Sequence, residues 1–497
     1  MPYLGPTTQG RVRATTCFSM ALVLVACAAN PSAKRTRRAM SEDEEREIGK
    51  EAAAQVEQYV GFAGSEELNA YVSRIGERLA KHSSRSHVAH EFHVVDMKEP
   101  NAFALPGGYI YVSRGLLAIM NSEDELAAVL GHEIGHVAGR HSAQRQAKSR
   151  GWIPLQILAG IGGAAASVVS PGLGGAVASA GQLPASLAIA SYSRKQEEEA
   201  DRLGQQYAAA EGWDPAAIAD TMDALTREQE LAGARDPSRM SFFDTHPTTP
   251  DRASKGREYA RTLTVAPTDR IAVDRNAFLA WLDGLVLGES ARGGVFIGRR
   301  FIHPNLELAM TFPKGWAYEN SPSAVLAQSE DQSALLALQI AAEGEDPSVV
   351  ADRMAAKVEL SDRRSTTING YRAVTASARA SERGQEIYVA LAWMAKDGTV
   401  YQVLGATTAE RWDSHRPDFE AAVQSFRQPT TAELGEVREN RLRLVRAKAG
   451  QTVAEIAKEP GNRWSVPQTA AANAMDAKAK LSGDEAIKVS RQEPYRR

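Results

Sequence analysis

"AAVLGHEIGHVAGRH", residues 127–141, sets two histidines four residues apart, with a glutamate directly after the first. Ser122, with Glu125 three residues later, forms a capping box, so a helix starts there and runs through the stretch. On a helix, positions i and i+4 lie on one face about one turn apart. His132 and His136 can therefore direct two imidazoles at one ion. Glu133 lies about 100° round the helix from His132, near enough to reach water at that ion without ligating it. Gly131 and Gly135 are odd in a helix interior, where each costs about 1 kcal/mol relative to alanine. They suit a place where a strand or a bound chain approaches the helix closely. Catalytic zinc takes three protein ligands and keeps a fourth position for water, so a third ligand must come from another element. "QEEEADRLG", 196–204, offers Glu197, Glu198, Glu199 and Asp201. Most acidic runs are solvated helix faces, and the run alone does not select among these four.

A chain of 497 residues is too long for one compact core, and two to four domains are expected. The formal net charge of −3 makes no electrostatic case for nucleic acid. Arg11 and Arg13 precede an apolar run, "CFSMALVLVAC", and small residues. These are the parts of a secretory signal, and about thirteen apolar residues are too few to span a bilayer. "LVAC", ending at Cys27, resembles a bacterial lipobox, in which that cysteine becomes the lipidated first residue of the mature chain. Ala28 after it implies, by the same resemblance, the outer membrane. Cys17 and Cys27 are the only cysteines, so the mature chain has no disulfide despite an oxidising compartment.

Residues 28–44 read as a tether. From 45 the pattern is helical, with Leu68, Tyr71, Val72, Ile75 and Leu79 at helical spacing behind a capping Ser65. "EFHVVDM" and "GGYIYVS" read as strands joined through "NAFALP". No charge occurs from 151 to 193, which suggests buried helices or a lid over the site. Residues 266–297 form a connecting helix and loop, with the helix at 277–288. From 298 to 428 strand-like runs dominate, with hairpin turns at Asn369-Gly370 and Asp397-Gly398 and helices near 347–358 and 416–426. This is a separate α+β domain with an antiparallel sheet. Residues 429–439 read as a linker and 440–491 as a small third unit. The fold class is therefore α+β multidomain.

Four separated motifs occur in order: "NAFALPGGYIYVSRGLL", His132 to His136, "SRKQEEEADRLG" and "THPTTPDR". Together they resemble the zinc metallopeptidase family of the CAAX prenyl protease, HtpX and the OMA-type proteases, and its soluble periplasmic BepA-like branch above all. The resemblance implies a mainly helical, gluzincin-type protease domain over 45–265 with a small edge sheet and one Zn2+ per chain. The family's ligand glutamate, three before Ala-Asp, falls on Glu197. Asp201 falls on the family's aspartate, which can orient a ligand histidine. His246 matches the histidine of the family's His-Pro loop. It either donates to the oxyanion or occupies the open zinc position and holds the enzyme latent. Arg252 would pin that loop, Arg194 would brace its helix, and His141 would be structural and off the ligand face. Substrate would pair with an edge strand at Asn101, Ala102, Phe103 and Ala104.

"LRLVRAKAGQTVAEIAKE" and the sequence after it resemble a LysM module, with Gln451 where an aspartate is usual. Peptidoglycan is then a candidate partner. The expected function is a zinc endopeptidase of the periplasm, lipid-anchored at the outer membrane, that clears misfolded or stalled envelope proteins. The alternative is a latent protease domain serving as chaperone or scaffold.

Overall fold

The computed structural model describes residues 40–148, 191–232, 242–247, 251–267, 269–321, 324–382 and 385–496. Cys27, the tether up to residue 39 and the uncharged stretch up to residue 190 lie outside them.

Helix α1 (Glu42–Tyr59) starts at a capping box on Ser41, and α2 (Glu66–Ala80) at Ser65. The periodic set Leu68, Tyr71, Val72, Ile75 and Leu79 forms the buried face of α2. Strands β1 (Glu91–Val95), β2 (Ala102–Ala104) and β3 (Tyr109–Ser113) make a sheet of order β1-β3-β2. β1 runs parallel to β3, and β2 antiparallel, so β2 is an edge strand. After the short α3 (Arg114–Ile119), helix α4 (Glu123–Ala138) carries the opening motif. Every residue of α4 from Glu125 to Val137 is buried, as expected of a helix wrapped on all sides. Then come α5 (His141–Lys148), α6 (Arg194–Ala210), α7 (Ala217–Ala232), α8 (Phe242–Thr245), α9 (Arg252–Ala260) and α10 (Arg275–Leu282).

The two glycines of α4 find their reason in α6. A Cβ on Gly135 would stand 2.8 Å from the Ala200 carbonyl oxygen, and one on Gly204 2.7 Å from the His132 nitrogen. The close neighbour is thus a helix, not the strand or bound chain that the sequence suggested. Small residues at 131, 135, 200 and 204 let the two backbones nearly touch. That contact sets the side chains of Glu197 and Asp201 opposite His132 and His136.

The expected helix at 277–288 ends early. Gly284, at φ 88°, turns the chain after α10, and β4 (Val286–Leu287) follows. A small sheet of β5 (Val295–Ile297), β6 (Arg300–His303) and β7 (Leu308–Thr311) leads into the middle region. There β8 (Ala317–Asn320), β9 (Val325–Gln328), β10 (Ala334–Glu343), β11 (Leu360–Ile368), β12 (Tyr371–Glu382), β13 (Gln385–Lys396) and β14 (Thr399–Thr408) form one antiparallel sheet. Its order is β11-β12-β13-β14-β10-β9-β8. Asn369-Gly370 and Asp397-Gly398 all have positive φ, as type I′ hairpin turns require. α11 (Pro347–Ala355) covers one face, over Val374 and Trp393, and α12 (Trp412–Gln424) the other, over Met394 and Val403.

Part of the expected linker is helical, α13 (Thr431–Glu436), with a capping box on Thr430. The last unit runs β15 (Arg438–Arg446), α14 (Val453–Ala457), α15 (Val466–Ala472) and β16 (Ala486–Pro494), a βααβ order with antiparallel strands. β4 adds to the outer edge of β15, which ties this unit to the segment after α10. Lys488 strengthens the tie. Its side chain is fully buried, and Nζ donates to the carbonyls of Ala118 at 2.9 Å and Met120 at 2.8 Å, just ahead of α4. Lys488→Met would leave both carbonyls buried without a donor. We expect it to lower unfolding stability by about 2 kcal/mol in a urea titration. An unchanged midpoint would show that the tie adds no net stability.

Candidate metal centre

Four buried side chains converge where α4, α6 and the segment after α8 meet. One donor atom from each of His132, His136, Glu197 and His246 lies within 4.8 Å of all the others. His132 Nε2 is 3.0 Å from His136 Nε2 and 3.2 Å from His246 Nδ1. Glu197 Oε1 is 3.3 Å from His136 Nε2 and 3.2 Å from His246 Nδ1. A tetrahedral ion with bonds of about 2.1 Å would space its ligands about 3.4 Å apart. The cluster therefore fits a metal site.

The groups behind these atoms fix which nitrogens carry protons. His132 Nδ1 lies 2.9 Å from Asp201 Oδ1, which holds the proton on that nitrogen and leaves Nε2 with its lone pair toward the cluster. Arg252 grips Asp201 through Nε at 2.6 Å and Nη2 at 2.7 Å, and its Nη1 stands 2.7 Å from Glu197 Oε2. It holds two carboxylates of the site, a larger part than pinning a loop. Arg194 is exposed at the first turn of α6 and has no ion pair among the described residues.

Burial works against charge on Glu197, but His246, His136 and His132 hold its carboxyl well below the usual range. Burial opposes ionisation of Asp201 as well, and Arg252 and His132 outweigh it. Burial dominates at His136, whose pKa falls well below that of free imidazole. At His132 burial is the largest effect, yet the Asp201 and Glu197 carboxylates together lift its pKa above the ordinary value.

Glu133 stands apart from the donors. Its side chain is fully buried, and neither oxygen has a hydrogen-bond partner among the described residues. Burial raises its pKa, against the pull of His246 and His132. His246 Nε2 stands 3.6 Å from its Oε1. Ala102, Phe103 and Ala104 are the edge strand β2, and Asn101 precedes it with both side-chain amide atoms buried and unpartnered among the described residues. His246 Nε2 lies 3.3 Å from the Ala102 carbonyl. A proton on Nε2 makes that contact a hydrogen bond and turns the Nδ1 lone pair into the cluster.

His141 is not among the donor atoms; its Nδ1 lies 2.8 Å from His136 Nδ1, behind them, where Arg140 at φ 53° turns the chain after α4. Two contributors escaped the sequence reading. Tyr192 stacks on His136 with ring centres 3.7 Å apart, and Phe242 on His246 at 4.3 Å.

Residues 66–260 match the sequence model of peptidase family M48. The chain carries an M48 domain. The chain is 31% identical over 201 residues to the "Beta-barrel assembly-enhancing protease" of Yersinia pestis, 40% of each chain. It is 34% identical over 189 residues to the "Mitochondrial metalloendopeptidase OMA1" of Schizosaccharomyces pombe, 38% of this chain and 52% of that one. To the "Metalloprotease LoiP" of Escherichia coli it is 30% identical over 161 residues, 32% and 59% of the two chains. The match thus spans about two-fifths to three-fifths of these relatives' lengths. Among the described residues no helix is long and apolar enough to cross a membrane.

Proposed function

We propose that this chain is a zinc-dependent endopeptidase of the bacterial cell envelope that hydrolyses peptide bonds in misfolded or stalled proteins. The observation that carries the reading is one buried set of four donor atoms beside a buried carboxylate that has no hydrogen-bond partner among the described residues. The M48 match and the names of the relatives support it. In this reading His132, His136 and Glu197 hold the ion, and Cys27 anchors the chain to the outer membrane. Mass spectrometry of the purified chain should show an acylated Cys27; an unacylated terminus removes the anchor.

Zinc held there supplies Lewis acidity, which brings the pKa of water toward neutrality and polarises a peptide carbonyl. The remaining work belongs to the chain. Asp201 keeps His132 in the ligand tautomer, and Arg252 keeps Asp201 and Glu197 in place. Glu133 takes the proton of the attacking water and delivers it to the leaving amine. The substrate lies extended along β2, with the Asn101 amide free to bond its backbone. Backbone pairing reads little sequence, which suits unfolded chains as substrates.

His246 favours a resting state that is latent. It offers Nδ1 to the fourth ligand position and Nε2 to the Ala102 carbonyl, so one side chain fills both the open position and a bond of the substrate strand. His246→Ala should therefore raise basal cleavage of an unfolded substrate, self-cleavage included, at equal zinc occupancy. A loss of about 10²–10³-fold would assign it to the oxyanion instead. No change would take it out of the active site.

The second reading is a latent domain used as chaperone or scaffold, with peptidoglycan bound by the last unit. The βααβ order of that unit supports its LysM-like assignment. Digestion of casein with and without a chelator separates the two readings. The protease reading expects fragments that vanish with chelator and return with zinc. No cleavage in wild type or His246→Ala favours the scaffold.

A further inference from the structure

A cleft of about 510 Å3 opens beyond the C-terminal ends of β1 and β3, between the start of α2, the segment after α10 and strand β15. Its volume is that of a small-ligand site. Val112 faces Ala102 across the β2–β3 ladder, and Arg114 is two residues further on. The cleft therefore lies about 10 Å from the edge strand at the metal centre.

Most charges in its wall are spoken for. Arg441 pairs with Glu439 at 2.6 Å, and Arg443 with Glu493 at 2.6 Å and Asp283 at 3.1 Å. Two guanidiniums keep capacity. Arg114 is 3% exposed; its Nε meets Asp96 at 2.5 Å and its Nη1 the Val286 carbonyl at 3.0 Å. Its Nη2 has no partner among the described residues. Arg292 has no carboxylate partner there either, and contacts only the Phe62 carbonyl, at 3.3 Å. The wall is mixed, and its apolar part includes Leu68, Leu285 and Trp281, whose ring is backed by Tyr71 at 4.6 Å. A buried guanidinium with an open nitrogen, a second one at the rim and apolar side chains in the same wall call for a ligand with one carboxylate and an apolar group.

We propose that this cleft is a second binding site, which takes the carboxylate end of a polypeptide whose last side chain is apolar. Guanidinium binds carboxylate through paired, charge-assisted hydrogen bonds, and capture of a chain terminus is an established mode of peptide recognition. The role as an anchor for substrate rests on the protease reading; the binding does not.

The test uses the zinc-loaded full chain carrying Glu133→Gln, which prevents cleavage. Fluorescein-labelled hexapeptides ending in leucine, as free acid or as amide, are titrated by anisotropy. The free acid should bind about 10-fold more tightly than the amide, the worth of one charge-assisted contact. Arg292→Gln should remove most of that difference, and Arg292→Lys restore part of it. Arg292 is exposed with one carbonyl contact, so its loss should leave the fold intact; Arg114→Gln is the second variant. Equal binding of acid and amide overturns the proposal, as does unchanged affinity in both Arg292→Gln and Arg114→Gln. Decanoate binding as tightly as the peptide overturns the polypeptide assignment. A preference for the acid supports this site even if the wild-type chain cleaves nothing, a result that counts only against the protease reading.

Discussion

Glu133→Gln should keep its metal and lose cleavage by about 10³–10⁴-fold, the upper range for a general base. The carboxylate is absent from the set of donor atoms, so the amide leaves the ligands untouched. It is isosteric and enters a place where neither oxygen accepts a hydrogen bond from the described residues, so folding should not suffer. An amide cannot accept a proton at neutral pH, and no other carboxylate is free: Glu197 and Asp201 are both held by Arg252. Turnover on casein and zinc content of the same preparation check the prediction together. Retained turnover would require another base. Lost metal would make Glu133 part of the ligand set.

Glu197→Gln should show the opposite pattern, with zinc affinity lowered at least about 100-fold. A neutral amide oxygen is a poorer donor, and Arg252 loses a charge partner in a buried place. Glu198 and Glu199 sit on the same turn but are exposed, and Glu198→Gln should keep its zinc after dialysis. Glu199 Oε2 lies 3.5 Å from His141 Nε2, two steps behind the donors, so Glu199→Gln should also retain the metal. Zinc loss in Glu199→Gln equal to that in Glu197→Gln would mean that α6 presents another face to the site.

The pair His132 and His136 was legible because helical spacing alone brings the residues together. Three adjacent glutamates were not separable by type, and resemblance chose Glu197. A physical signal was nevertheless present. Glu197, Ala200, Asp201 and Gly204 share one helix face, and its small residues match Gly131 and Gly135 across the helix contact. The contacts of Tyr192 and Phe242 needed tertiary packing, so neither had a local pattern. In the middle region the Asn-Gly and Asp-Gly turns announced their hairpins. The pairing of β10 with β14 did not show, because it joins strands far apart in sequence. Two residues of β4 are too few to have a period, so its addition to the last unit was invisible as well.

The central claim is that His132, His136, Glu197 and His246 surround one zinc ion. An anomalous difference map from crystals of the wild-type chain, collected above the zinc absorption edge, tests it directly. The account predicts one strong peak per chain, within bonding distance of His132 Nε2, His136 Nε2 and a Glu197 oxygen, with His246 Nδ1 at the fourth position. A fully zinc-loaded crystal with its peak elsewhere, or with none at these four groups, would contradict it.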